Sequence, residues 1–202
     1  MRRFVGTAVF AVALLTFSAL SAGAVSSAQL RAKALSLSNF PTGWSVDNSS
    51  SSGTSDISCL KGLQSSFKHE VKASVRYTDG NFPALQETIE TGPGVSARLT
   101  KFEAALGSCT GISGTSGGQT ITGSVGAMSF PTVGNRSSAY AITLQIQGIT
   151  VGADVVVFQT GKVIGEVVYE DVGTPDSGQL QAFVAEAVNK VEGKPTTTPT
   201  TF

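Results

Sequence analysis

Residues 139–171 read AYAITLQIQGITVGADVVVFQTGKVIGEVVYED, and this stretch decides the fold. Apolar side chains alternate with polar or small ones at Tyr140, Ile142, Leu144 and Ile146, which is the period of a strand with one buried face. Residues 155–158 are apolar at every position, as in a central strand covered on both sides. Gly148 and Gly161 mark tight turns. The stretch therefore predicts three antiparallel strands, roughly 139–147, 150–159 and 162–171.

Further strands are predicted on the N-terminal side of this stretch. Residues 120–129 give one more strand, and residues 71–77 alternate again, with Val75 and Tyr77 on the apolar face. After the turn at 79–81, Leu85 and Ile89 continue a returning strand, and Glu87 shares their parity. An inward carboxylate could contact a ligand, but we favour a charge that protects an edge strand from aggregation.

Three segments have helical periodicity. Leu180, Phe183, Val184, Ala187, Val188 and Val191 form the strongest apolar stripe of the chain. A second helix is predicted from Pro93 to Cys109, and a short one over residues 28–38, stopped by Pro41. The fold class predicted is α+β: a mainly antiparallel sheet of about five to six strands packed by amphipathic helices, with one disulfide.

The N-terminus predicts export. Arg2 and Arg3 precede an apolar run that ends in small residues, the pattern of a signal peptide cleaved after Ala24, or alternatively Ala28. A retained anchor is the other interpretation. The domains predicted are a signal peptide at 1–24, one secreted domain at 25–193 and a disordered Thr/Pro-rich tail at 194–202. We expect a secreted or cell-envelope protein without a lipid anchor, which meets the membrane only transiently through its signal peptide.

Export also bears on the two cysteines. In an oxidising compartment, Cys59 and Cys109 favour a disulfide over a redox or metal pair, because the chain has neither CxxC spacing nor neighbouring histidines. No metal site or cofactor is predicted. Without Arg2 and Arg3 the chain is slightly acidic, which makes nucleic acid a poor partner.

Two motifs imitate catalytic or cofactor sites. Gly114 to Gly118 match GxSxG around Ser116, but the only histidine, His69, lies upstream in the chain. This context disfavours a hydrolase that uses Ser116 and His69, which we keep as the alternative function. Residues 92–97 match GxGxxA, yet no βαβ pattern surrounds them, and we favour a turn with Pro93 as the first helical residue.

Several aromatic residues lie near predicted strand ends. A cleft lined by aromatic residues is one interpretation and core packing is the other. The candidate cleft residues are Phe40, Trp44, Tyr77, Phe82, Phe130 and Glu87.

The Pro-Thr-Gly-Trp turn at residues 41–44 and the positions of Cys59 and Cys109 carry a resemblance. They resemble the extracytoplasmic sensor domain of PknH-type mycobacterial receptor kinases and related actinobacterial secreted proteins and lipoproteins. The resemblance implies an antiparallel sheet packed by helices and a cleft for an unidentified ligand. Those domains carry two disulfides, whereas this chain can form only one.

We therefore expect a secreted, non-catalytic, sensor-like domain. It would bind a small or amphipathic cell-envelope ligand, or an envelope protein. A surface protein that acts through protein contacts is the remaining alternative.

Overall fold

The computed structural model describes residues 25–48, 71–116 and 119–196. Within them, eight strands form one sheet in the order β1-β2-β3-β8-β7-β6-β5-β4, and every neighbouring pair is antiparallel. The strands are β1 Ser45–Val46, β2 Val71–Thr78, β3 Ala84–Thr91, β4 Ile112–Ser116, β5 Gln119–Ala127, β6 Arg136–Ile146, β7 Ile149–Thr160 and β8 Val163–Val172. The helices are α1 Ser27–Arg31, α2 Val95–Ser108 and α3 Ser177–Glu192, with a 3-10 turn at Leu37–Asn39.

The predicted count of five to six strands is wrong, because the sheet has eight. The two additional strands are β1 and β4, which lie at opposite edges of the sheet. Residues 110–119 read as a Gly/Ser loop, yet Ile112–Ser116 pair with β5. A short polar edge strand forms because it pairs with its neighbour, and its sequence lacks the alternating apolar residues by which a strand is recognised.

The predicted disulfide has only one partner in the described part of the chain. Cys109 lies there, while Cys59 lies outside the described residues. Because only one of the two cysteines is among the described residues, the pairing of Cys59 with Cys109 stays a prediction. The signal peptide at 1–24 and tail residues 197–202 also lie outside the described residues.

The centre of the sheet is apolar on both faces, as predicted for β7. Val156 and Phe158 are fully buried on the face that also packs α3, whereas Val155 and Val157 pack with α2 on the opposite face. The predicted stripe of α3 is also buried, from Leu180 to Val191. Strand alternation thus gives the sheet two covered faces.

Two predicted helix boundaries need correction. Helix α2 begins at Val95 after Gly94, whose φ of 78° suits glycine, so that Pro93 precedes the helix instead of starting it. The helix predicted over 28–38 ends at Arg31 and is followed by the 3-10 turn. The backbone N–H of Leu35 is bonded to the side chain of Glu87, and Asn39 accepts from the N–H of Ser36. These bonds compete with helix continuation.

Candidate functional site

A cleft of about 480 Å³ opens where β3 leads into α2 and β7 turns into β8. Its lining comprises Thr91, Gly92, Pro93, Gly94, Val95, Ser96, Ala97, Gln159, Gly161 and Lys162. The antiparallel pairing of β3 with β8 brings the two segments together, since Thr91 lies opposite Val163. The cleft is thus built by sheet register between distant parts of the chain.

Hydrogen bonds fix the walls of this cleft. Gln159 Nε2 donates to Ser96 Oγ at 2.9 Å and to the carbonyl of Gly161 at 3.0 Å. Thr91 Oγ1 donates to the carbonyl of Lys162 at 2.8 Å. Lys162 is the sole ionisable residue of the lining, and its side chain is exposed. The cleft is therefore lined by backbone groups, small side chains and one cation.

The GxGxxA pattern coincides with one wall of the cleft but lacks the dinucleotide-binding context. A dinucleotide fingerprint requires that the strand after the helix run parallel to the one before it. Here α2 leads to β4 at the far edge of an antiparallel sheet. The glycines serve the turn into α2: Gly92 and Gly94 have φ of 151° and 78°.

Three of the predicted cleft aromatics pack against one another away from this cleft. The ring of Phe40 lies 4.9 Å from Trp44, 4.3 Å from Tyr77 and 4.8 Å from Phe183, measured between centroids. Tyr169 joins at 6.0 Å from Phe183. All five rings are buried in the core between the sheet and α3, a set that we call the aromatic cluster.

The other two predicted aromatics occupy different places. Phe130 is partly buried and packs against the same core. Phe82 lies in the turn between β2 and β3 and is 38% exposed, apart from the aromatic cluster. The structure therefore brings together Phe40, Trp44 and Tyr77, with Phe130 against the same core.

Glu87 lies on an inner strand, so its interpretation as an edge-strand charge is wrong. β3 is paired on both sides, with β2 and β8, and the Glu87 side chain is completely buried. Glu87 Oε2 accepts a 2.5 Å hydrogen bond from the N–H of Leu35, whereas Oε1 has no hydrogen-bond partner among the described residues. Burial raises the pKa of Glu87 to about 7, although the Leu35 bond and the charge of Lys190 act to lower it.

Polar groups from the neighbouring elements surround this carboxyl group. Tyr77 donates its hydroxyl to the carbonyl of Leu35 at 3.0 Å. Lys190 of α3 donates to Ser36 Oγ at 3.0 Å and Asn39 Oδ1 at 3.3 Å. Burial lowers the pKa of Lys190, while the charges of Glu87 and Glu186 act to raise it.

Sequence reasoning missed Glu186 and Lys190. The signal was their spacing after Phe183, because positions i, i+3 and i+7 share one face of a helix. Glu186 is only 4% exposed, on the same face as the apolar stripe. Charged residues at helix positions that lie on the apolar face were thus the sequence signal for a buried polar group.

Of the two candidate hydrolase residues, only Ser116 lies among the described residues. Ser116 ends β4 opposite Gln119, in a hairpin rather than a strand-to-helix elbow, and His69 lies outside the described residues. Within 25–48, 71–116 and 119–196, no group of three or more His, Cys, Asp or Glu side chains could hold a metal ion. In the same ranges, no helix has the length and apolarity needed to cross a membrane.

The sheet order and its covering helices define a domain built on one antiparallel sheet with helices on both faces. Four solved chains match this structure. One is the extracellular domain of PknH from Mycobacterium tuberculosis: the TM-score is 0.53 and the sequence identity 12%, over 77% of this chain and 80% of that chain. The predicted resemblance is thus confirmed at the level of fold. No protein-family model matches the chain, and no curated protein matches its sequence.

Proposed function

We propose that this chain is an extracytoplasmic, sensor-like binding domain that acts without catalysis. The observation that carries the proposal is the fold shared with a solved extracellular domain over most of both chains. The signal-peptide pattern of residues 1–24 supports the same compartment. The bound molecule would be a small or amphipathic component of the cell envelope, or an envelope protein.

The cleft beside α2 is the place we propose for a small ligand. Its volume of about 480 Å³ falls within the range of small-molecule sites, roughly 300–1,000 Å³. Pro93 and Ala97 offer exposed apolar surface, and Lys162 offers a positive charge at the same opening. An amphipathic molecule could place its apolar part on the first two and a polar head near the third.

Ligand capture with a blocked cleft tests this proposal. The purified protein is incubated with an envelope lipid extract, re-isolated and analysed by native mass spectrometry. Ala97→Trp places a large ring in the cleft from an exposed helix position, and Ala104→Trp makes the same change two turns along α2, outside the lining. We expect the wild type and Ala104→Trp to retain added mass and Ala97→Trp to lose it. Retention of no mass by the wild type, or equal retention by Ala97→Trp, contradicts the proposed site.

A further inference from the structure

Residues 25–44 form an N-terminal strap that lies across β2, β3 and α3. The strap buries Leu30, Leu35, Phe40 and Trp44, all at most 8% exposed, in the same core as the aromatic cluster. Two of its aromatic side chains, Phe40 and Trp44, contact Phe183 of α3. The strap therefore covers an apolar face that would otherwise be open to solvent.

The centre of the strap is held by hydrogen bonds of the backbone N–H and carbonyl of Leu35. Leu35 donates its N–H to Glu87 of β3 and accepts the hydroxyl of Tyr77 of β2 on its carbonyl. Lys190 of α3 holds the next part of the strap through Ser36 and Asn39. Of these contacts, the one to Glu87 joins the strap to an acid that is completely buried.

The surroundings of Glu87 favour its neutral form. Its strand partners are Val75 of β2 and Val167 of β8, both apolar and buried. The ionisable groups that interact with Glu87 are the Tyr77 hydroxyl from β2 and Lys190 from α3. Lys190 also interacts with Glu186, one helical turn before it on α3.

Ionisation would leave Glu87 with one short hydrogen bond and one orphaned oxygen. Oε1 has no hydrogen-bond partner in the described part of the chain. The cation that could compensate, Lys190, already donates to two strap side chains and also faces Glu186. A buried charge with so few partners is unfavourable unless water reaches it.

We propose that Glu87 is a proton-controlled latch for the strap: the neutral carboxyl group keeps residues 25–44 seated, and loss of its proton to solvent loosens them and exposes the aromatic cluster. Lifting the strap hydrates the carboxylate, which removes the penalty. The latch goes beyond ligand binding, and its test requires no ligand. Its failure is therefore distinguishable from failure of the proposed function.

The direction and size of the effect follow from linkage. The pKa of Glu87 is about 7 in the closed state, and that of the hydrated group is near 4.5. Closure is therefore fully favoured below about pH 4.5, and its advantage is lost as the pH rises through about 7. The opening equilibrium should increase about tenfold per pH unit between these limits, about 300-fold in total, and then level off.

The test follows strap opening in the purified full chain from pH 4.5 to pH 9. Hydrogen-exchange protection factors, corrected for the intrinsic rate at each pH, are measured for peptides within residues 30–44. Acrylamide quenching of Trp44, the single tryptophan, reports the same region optically. We expect protection to fall with rising pH and to level off near pH 7.

Two isosteric variants separate Glu87 from other acids. Glu87→Gln keeps the shape and an acceptor for the Leu35 N–H but does not ionise, so its strap should remain protected at every pH. Glu90→Gln changes the same strand on its opposite face and should keep the wild-type response. An unchanged pH profile in Glu87→Gln, or wild-type protection that does not vary with pH, would overturn the latch.

A third variant distinguishes the latch from a purely structural contact. Lys190→Met removes the cation that lowers the pKa of Glu87, so protection should level off at a higher pH than in the wild type. Loss of a structural contact alone would reduce protection equally at all pH values. If Lys190 itself were the titrating group, the pH response would disappear in this variant, which would also overturn the proposal.

Discussion

Replacing Gly165 by alanine should destabilise the domain, because the ring of Phe158 occupies the space of the missing side chain. A Cβ atom built on Gly165 would lie 2.1 Å from Cζ and 2.5–2.6 Å from both Cε atoms of Phe158, where ordinary contacts are 3.4–4 Å. The ring would have to retreat by about 1 Å. Phe158 is completely buried in the core on the α3 side of the sheet, so that it has no free space to enter.

The magnitude follows from two opposing effects. Overpacking of a filled core reduces stability by roughly 1–3 kcal/mol. Alanine also restricts the unfolded chain more than glycine does, which offsets about 0.4–1 kcal/mol. We expect Gly165→Ala to lower the free energy of unfolding by about 1–2 kcal/mol. Gly126→Ala is the matched control, since no atom lies within 4 Å of a Cβ built on that strand glycine.

Urea unfolding followed by Trp44 fluorescence measures both variants. A double-mutant cycle with Phe158→Leu tests the mechanism: the smaller side chain should be tolerated better in the Gly165→Ala background than in the wild type, with a coupling energy of about 1 kcal/mol or more. If Gly165→Ala is as stable as Gly126→Ala, or if the cycle shows no coupling, the ring contact does not limit this position.

Three further predictions concern single contacts. The burial of Glu87 raises its pKa from 4.5 to about 7. The wild type should therefore lose up to about 3 kcal/mol of unfolding free energy between pH 4.5 and pH 8, measured by urea titration at both pH values. Glu87→Gln, which does not ionise, should not show this loss. Asp176 caps α3 by accepting from two backbone N–H groups, so Asp176→Ala should lower the thermal midpoint through a loss of about 1 kcal/mol, while Asp176→Asn should lose less. Tyr77→Phe leaves the buried carbonyl of Leu35 without its hydroxyl donor and should reduce stability by about 1–2 kcal/mol in urea, more than Tyr140→Phe, whose hydroxyl bond is longer at 3.2 Å. Equal losses for the aspartate pair or for the tyrosine pair would argue against the assigned bonds.

The parts of the fold that the sequence predicts best are those with a long, unbroken period. Strand β7 was predicted at 150–159 and lies at Ile149–Thr160, and the apolar stripe of α3 is buried throughout. In both elements the apolar side chains recur regularly along the whole length and are buried in the core, so the local sequence pattern agrees with the tertiary structure.

The parts that the sequence misses are those whose structure depends on partners. Strand β1 has two residues and β4 has five, and each forms only because a longer neighbour supplies its hydrogen bonds. The inward parity of Glu87 was readable from Leu85 and Ile89. Whether its strand lies at the edge or inside the sheet could not be read from the sequence, because the alternation of a strand does not specify its neighbours.

The cleft illustrates the same limit for function. Residues 92–97 stood out as a glycine pattern, but their neighbours at 159–162 come from a distant hairpin. Only the pairing of β3 with β8 joins the two walls, and local sequence patterns contain no record of that pairing.

The same β3–β8 pairing sets the order in which the molecule can assemble. Strands β4 to β8 follow one another as neighbours, so each can add to the growing meander as soon as it is synthesised. Strand β3 must instead wait for β8, the last strand among the described residues, because their pairing closes a loop from residue 91 to residue 163. We therefore expect the β2–β3 hairpin to dock late. Until β8 has left the ribosome or a translocation channel, the N-terminal part of the nascent chain lacks the strand with which it pairs.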